Sequence, residues 1–215
     1  QKWWEELEAL KDFVPGAQDV ADSLHLSQQL YGRKAEVATL QAAFERVQQG
    51  AKEAVLVTGT VGIGKSKLVR EFSLPVLQNG GYFLHGKFDQ LRHTIPYRAV
   101  IQAFQALVVQ RLAAPEAEVA RWRAELLAAL EPNGQVMNEV LPELEFVIGS
   151  QAAVPELPPA EAQNRFMLTF RRFIQVCARP EHPLVLFLDD LQWADDATLT
   201  LLESLLLEPD IQYLL

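Results

Sequence analysis

The stretch GTVGIGKS, residues 59–66, decides how the rest of the chain is read. It fits the spacing G-x-x-x-x-G-K-[ST] of a phosphate-binding loop. AVLVTG (54–59), a short β-rich apolar run, leads into it. KSKLVREFSL, a helical segment expected to stop at Pro75, follows. Gly59, Gly62 and Gly64 let the backbone turn tightly and approach phosphate oxygens with no Cβ in the way. Backbone N–H groups from Gly59 through Thr60, Val61, Gly62, Ile63 and Gly64 to Lys65, Ser66 and Lys67 are then expected to cradle the anion. The helix starting near Lys65 adds its positive dipole end. In this reading Lys65 bridges the β- and γ-phosphates and Ser66 ligates Mg²⁺ through its hydroxyl. The plainer alternative, a glycine-rich turn with a stray lysine, does not explain the flanking strand and helix.

A loop of this kind needs an acid at the end of a neighbouring buried strand. LVLFLDD (184–190) supplies one. Five apolar residues ending in Asp read as a strand buried in a parallel sheet. Asp189 is the candidate Mg²⁺ residue. Asp190, one residue on, is the candidate for polarising an attacking water, where many such ATPases carry the longer Glu. The two motifs stand more than a hundred residues apart, a gap that helical text fills.

Composition bounds the rest. The chain has 215 residues, 49% hydrophobic and 22% charged, with a net charge of −9. That fits one α/β domain with a buried core and excludes collagen, coiled coil and wholesale disorder. An acidic chain is a poor candidate for sequence-independent nucleic-acid binding. A single cysteine, Cys177, excludes an internal disulfide and a cysteine-cluster zinc site. No apolar run reaches the length of a membrane span. The start, QKWWEELEALKDF, has no signal-peptide pattern and no initiator Met, so the chain is expected to be a piece of a longer protein.

Residues 1–29 read as a linker carrying a short amphipathic helix before a Pro15-Gly16 turn. Residues 33–49 read as a helix, with Val37, Leu40, Phe44 and Val47 at helical spacing and Gly50 at its C-terminal end. GYFLHG (81–86) is a second strand candidate. From about 96 to 180 the text is helical, with Pro96 and Pro115 as first-turn prolines and a Pro-rich connector over 149–159. Phe166, Phe170, Phe173, Ile174 and Cys177 share one helical face, so Cys177 is a core residue. Asp195 is placed to cap a helix over 196–207. IQYLL (211–215) reads as the start of a further strand. Alternating strands and helices give the fold expected: a three-layer α/β/α core with a parallel sheet and an inserted helical region. The core is assigned to 30–215 and the insertion to about 96–180.

LYGRKAEVATL (30–40), VLVTGTVGIGKSKLV (55–69) and HPLVLFLDDLQWADDATLTLL (182–202) together resemble the AAA+-like STAND P-loop ATPases. The likeness is closest to the ATPase module of large bacterial signalling proteins, which join a serine/threonine kinase, this ATPase, sensor domains and often a histidine kinase. GKFDQLRHTIPYRAVIQAF (86–104), EPNGQVMNEVLPELEFVIG (131–149) and PPAEAQNRFMLTFRRFI (158–174) are similar to the same subgroup. The resemblance implies that Tyr31, Gly32 and Arg33 lie in the linker packing against adenine and ribose. It implies Trp193 at the strand–helix junction, and Arg92 and Arg98 either as ordinary surface charges or as phosphate or interface arginines. It also implies that the chain stops in the fourth core strand, before the usual polar sensor residue and the helical lid.

The function expected is a Mg·ATP-dependent regulatory switch, cytoplasmic, with slow or no turnover by itself. Its expected partners are ATP, the other domains of the same protein and a nucleotide-dependent oligomer, with no nucleic acid and no membrane. The alternatives are a hydrolysing ATPase, a nucleotide-binding scaffold without turnover, and an origin-recognition-like AAA+ protein. A GTPase is disfavoured because no N-K-x-D-like base reader is present.

Overall fold

The computed structural model describes residues 33–90 and 96–215. Residues 1–34 and 35–215 form separate units, and the architecture is that of the second. The expected helix within 1–29 lies outside the described residues.

Helix α1 (Lys34–Gln48) buries Leu40, Ala43, Phe44 and Val47. It ends at Gly50, whose φ of 99° lies in the left-handed region where Gly costs least. Helix α2 (Lys65–Gln78) follows the glycine loop and buries Leu68, Val69, Phe72 and Val76. Pro75 does not stop it, contrary to expectation. The Pro75 carbonyl accepts from the Asn79 N–H at 3.1 Å and from Asn79 Nδ2 at 2.7 Å, and Val76 is fully buried. These contacts offset the one amide bond that the proline removes.

The sheet is parallel. Strand β1 (Tyr82–Lys87) pairs with β2 (Leu184–Asp189), Tyr82 opposite Leu184 and Lys87 opposite Asp189. On the other side of β2, residues 213–215 continue the ladder. The Leu184 N–H donates to the Tyr213 carbonyl, and the Leu186 N–H to the Leu215 carbonyl, both at 2.8 Å. The expected terminal strand is therefore present as a three-residue ladder. Lys52 bridges Leu214 in parallel, and the Glu53 N–H donates to the Leu214 carbonyl at 3.0 Å.

Three expectations are corrected here. AVLVTG (54–59) forms no strand: pairing ends at Glu53, and Leu56 is 75% exposed. Composition favours a strand only where a neighbouring backbone supplies a ladder, and the neighbour here is three residues long. The acid-bearing strand is also not adjacent to the segment entering the loop, because 213–215 lies between them. Nor is β2 wholly buried. Leu184 and Val185 are, and Leu186 to Asp189 are half-buried.

Side-chain alternation along β1 gives the sheet two covered faces. Tyr82 and Leu84 point into the main core, where α3 (Arg98–Leu112) packs. Phe83 points to the opposite face and meets Phe72 of α2 edge-on, with ring centroids 6.3 Å apart. Gly86 brings β1 against α3, since a Cβ there would stand 2.3 Å from the Ala99 carbonyl oxygen. Pro96 sits in a turn ahead of α3 rather than in its first turn.

Behind α3 lies the helical layer: α4 (Glu116–Leu130), α5 (Gly134–Val140), a 3₁₀ turn (Pro142–Leu144), α6 (Glu145–Ile148) and α7 (Pro159–Cys177). Phe166, Phe170, Phe173, Ile174 and Cys177 are all buried on one face of α7, as the spacing predicts. Phe104 packs edge-on against Phe170 and Phe173, at 5.3 and 5.5 Å. After β2 come a 3₁₀ turn (Leu191–Trp193) and α8 (Asp196–Leu207).

Candidate functional site

The loop from Gly59 to Gly64 borders the same cavity as the C-terminal end of β2. Gly62 and Gly64 have φ of 80° and 95°, and Gly59 has φ of 156°. L-residues with a Cβ rarely adopt such angles, so the glycine spacing in the motif is a backbone requirement. Gly64 directly precedes α2, which begins at Lys65 with no side chain capping its first turn. Its leading amides and dipole therefore face outward at the loop. Lys65 Nζ donates to the carbonyls of Gly59 and Thr60, at 2.7 and 3.1 Å, so the ammonium folds over the loop it belongs to. Val61 at the loop tip is fully exposed, and Thr60, Ser66 and Lys67 are exposed.

Across from the loop, β2 ends in the two acids. The Asp190 N–H donates to Asp189 Oδ1 at 3.0 Å. Asp190 itself is left-handed, with φ of 59°, a conformation that Asp tolerates better than most residues. One carboxylate oxygen of Asp190 pairs with Lys87 Nζ at 3.3 Å, and the other accepts from Gln192 Nε2 at 3.2 Å. Lys87 and Gln192 carry no motif signal. Lys87 reaches Asp190 because the parallel register sets it opposite Asp189, a fact of pairing that no single segment encodes.

Gly59, Val61, Lys65, Asp189 and Asp190 line one cavity of about 910 Å³, so the structure brings together the loop and both acids. Its remaining wall is largely apolar, from residues 54–57, β2 and the leucines Leu199, Leu202, Leu205 and Leu206 of α8. Ser66 lies beside it in the first turn of α2 and is not part of its lining. Among the described residues no three His, Cys, Asp or Glu side chains gather into a metal site. A divalent ion would therefore depend on phosphate oxygens for most of its ligands, the usual habit of Mg²⁺. The hydroxyl of Ser66 and the carboxylate of Asp189 are hard oxygen donors of the type such an ion takes.

Nearby side chains hold the frame. Lys52 donates to the carbonyls of Leu205 and Glu208 at the end of α8, tying the segment before the loop to that helix. Burial lowers its pKa. Asp195 caps α8 as expected: its Oδ1 accepts from the Thr198 N–H at 2.8 Å and its Oδ2 from the Thr198 hydroxyl at 2.6 Å. The same hydroxyl accepts from the Tyr97 N–H at 3.0 Å, which fixes the start of α3 to the first turn of α8. Trp193 stands at the strand–helix junction but is 38% exposed. Arg98 opens α3. Tyr31, Gly32 and Arg92 lie outside the described residues, and Arg33 is the residue before α1.

Comparison with known proteins agrees with this geometry. The AAA ATPase domain family matches residues 29–215. The chain is 38% identical over 197 residues to hybrid signal transduction histidine kinase G of Dictyostelium discoideum, a match covering 92% of this chain and 6% of that protein. It thus spans a small part of the relative's length. No solved structure matches. No helix among the described residues is long and apolar enough to cross a membrane. A phosphate-type loop opening a helix, two acids ending a parallel strand on the same cavity, and a family match over most of the sequence lead to one statement: this chain is a P-loop nucleotide-binding module of the AAA ATPase domain family.

Proposed function

We propose that the chain is the Mg·ATP-dependent regulatory switch of a multidomain signalling protein, of the STAND-like class joined to kinase and sensor domains. The observation that carries this reading is the convergence of Lys65, Gly59 and both acids on a single cavity. Lys65 would neutralise charge on the β- and γ-phosphates, and the loop amides would hold their oxygens. Ser66 and Asp189 would hold Mg²⁺, which supplies electrostatic neutralisation of the phosphates when bound. Asp190 would orient and deprotonate the attacking water.

A second reading, nucleotide binding without turnover, has its own support. Both oxygens of Asp190 are engaged, by Lys87 and Gln192, so the candidate base is held away from free use. A switch that holds ATP until another domain or another copy rearranges this cluster fits both observations. The signalling role rests on the relative, itself a signal transduction kinase by name.

Calorimetry with Mg·ATP, and with Mg·GTP as control, tests the proposal. Lys65→Ala is expected to weaken ATP binding at least about tenfold, the loss of a charge-assisted contact. Asp190→Asn is expected to bind ATP nearly as the parent does and to show no phosphate release. ATP binding by Lys65→Ala at parent affinity would overturn the loop assignment.

A further inference from the structure

A second cavity lies at the opposite edge of the sheet, where β1 and β2 begin. It encloses about 210 Å³ between α3, α4, the end of α7 and the turn before β2. Its floor is apolar, from Leu107, Val176 and Cys177, and Tyr82 and Trp122 also line it. Three guanidiniums converge on it, Arg111, Arg121 and Arg179, against the carboxylates of Glu125 and Glu181. The cavity is locally cationic in a chain whose net charge is −9.

Arg111 is held in place. Arg111 donates to the Tyr82 hydroxyl at 2.7 Å and lies over the Trp122 and Tyr82 rings at 5.0 and 5.9 Å. His182 packs on Tyr82 at 4.8 Å and is fixed through Nδ1 by the Gly80 carbonyl at 2.9 Å. A tight turn, with the His182 N–H donating to the Arg179 carbonyl at 3.0 Å, sets Arg179 at the mouth. Its ion pair with Glu125 is long, at 3.9 Å. Arg121 makes no hydrogen bond or ion pair among the described residues.

We propose that this cavity is a binding site for a small organic anion with a flat apolar body, of the size and class of a single-ring aromatic carboxylate. The volume suits it, since cavities of about 150 Å³ already admit benzene. The apolar floor suits a ring, and a carboxylate takes the guanidinium forks in the geometry those forks favour. An aliphatic or inorganic anion would leave the apolar floor uncovered, and a cation would meet the arginines. Tyr82 opens β1 and His182 stands just before β2, and these strands end at Lys87 and Asp189, beside the nucleotide cavity.

The test is calorimetric titration of the 215-residue chain with benzoate, and with benzyl alcohol, benzylamine, acetate and inorganic phosphate as comparators. Benzoate is expected to bind with a Kd of about 1 mM or tighter. Each comparator should bind at least about tenfold more weakly. Arg121→Gln, which removes a side chain with no partner among the described residues, is expected to weaken benzoate roughly tenfold with an unchanged melting temperature. Arg111→Lys keeps the charge, loses the fork and should also weaken it; if that variant does not fold, Arg121→Gln decides alone. Saturating Mg·ATP should not displace benzoate. The proposal is overturned by absence of benzoate binding, by binding indifferent to Arg121→Gln, by acetate or phosphate binding equally well, or by displacement with ATP, which would place the anion on the glycine loop.

Discussion

Asp190 is a side chain whose neighbours decide its chemistry. Its motif position marks it as the water-polarising candidate, yet Lys87 and Gln192 occupy its two oxygens. Lys87 is largely exposed, so the pair adds little to stability and can be broken without unfolding the strand. Lys87→Met is therefore expected to leave folding unchanged and to raise ATP turnover several-fold, an increase that Asp190→Asn in the same background removes. Phosphate release by the two variants checks this. Turnover unchanged in Lys87→Met would mean that the ion pair does not restrain the base. At this scale the glycines, Lys65 and the two acids were legible in the sequence, because a phosphate loop is contiguous and its conformation demands glycine. Lys87 was not legible, because it reaches the site only through strand register.

Among the elements, the tightest constraint is where β1 crosses α3. A methyl group on Gly86 would meet the Ala99 carbonyl oxygen at 2.3 Å and Leu188 Cδ2 at 2.9 Å, and the Ala99 backbone leaves little to yield. Gly86→Ala should cost about 1–3 kcal/mol, read as a lower urea midpoint with unchanged slope. A second constraint is the cap of α8. Asp195→Ala removes two acceptors from Thr198, which is fully buried. The expected loss is about 1 kcal/mol for the cap, with more for the orphaned hydroxyl. Asp195→Asn, which keeps one acceptor, should lose less. Helix positions and the Asp195 cap were readable because amphipathic spacing and capping are local. The 54–59 segment misled because a strand is made by its neighbour, and pairing there stops at Glu53.

At the level of the whole molecule, the described core is one continuous apolar body joining the sheet to the helical layer, and Cys177 sits within it. Burial pushes its thiol pKa well up, so the nucleophilic thiolate is scarcely populated in the fold. Labelling by a disulfide reagent at pH 8 should therefore follow global unfolding, slow in buffer and fast in denaturant. Rapid labelling in buffer would mean that the end of α7 opens locally. The same body places the two cavities at opposite ends of two parallel strands, which makes coupling between them measurable by titrating one ligand in the presence of the other.

The sequence by itself determined the glycine loop, the acid pair, the helices and the apolar face of α7. Each is written in a short window whose backbone geometry or periodicity demands those residues. The tertiary structure alone decided that 213–215 separates the acid strand from the loop segment, that Lys87 meets Asp190, and that arginines from α3, α4 and the turn before β2 share a cavity. Those are facts of strand order, register and helix packing, set by which distant surfaces bury each other best.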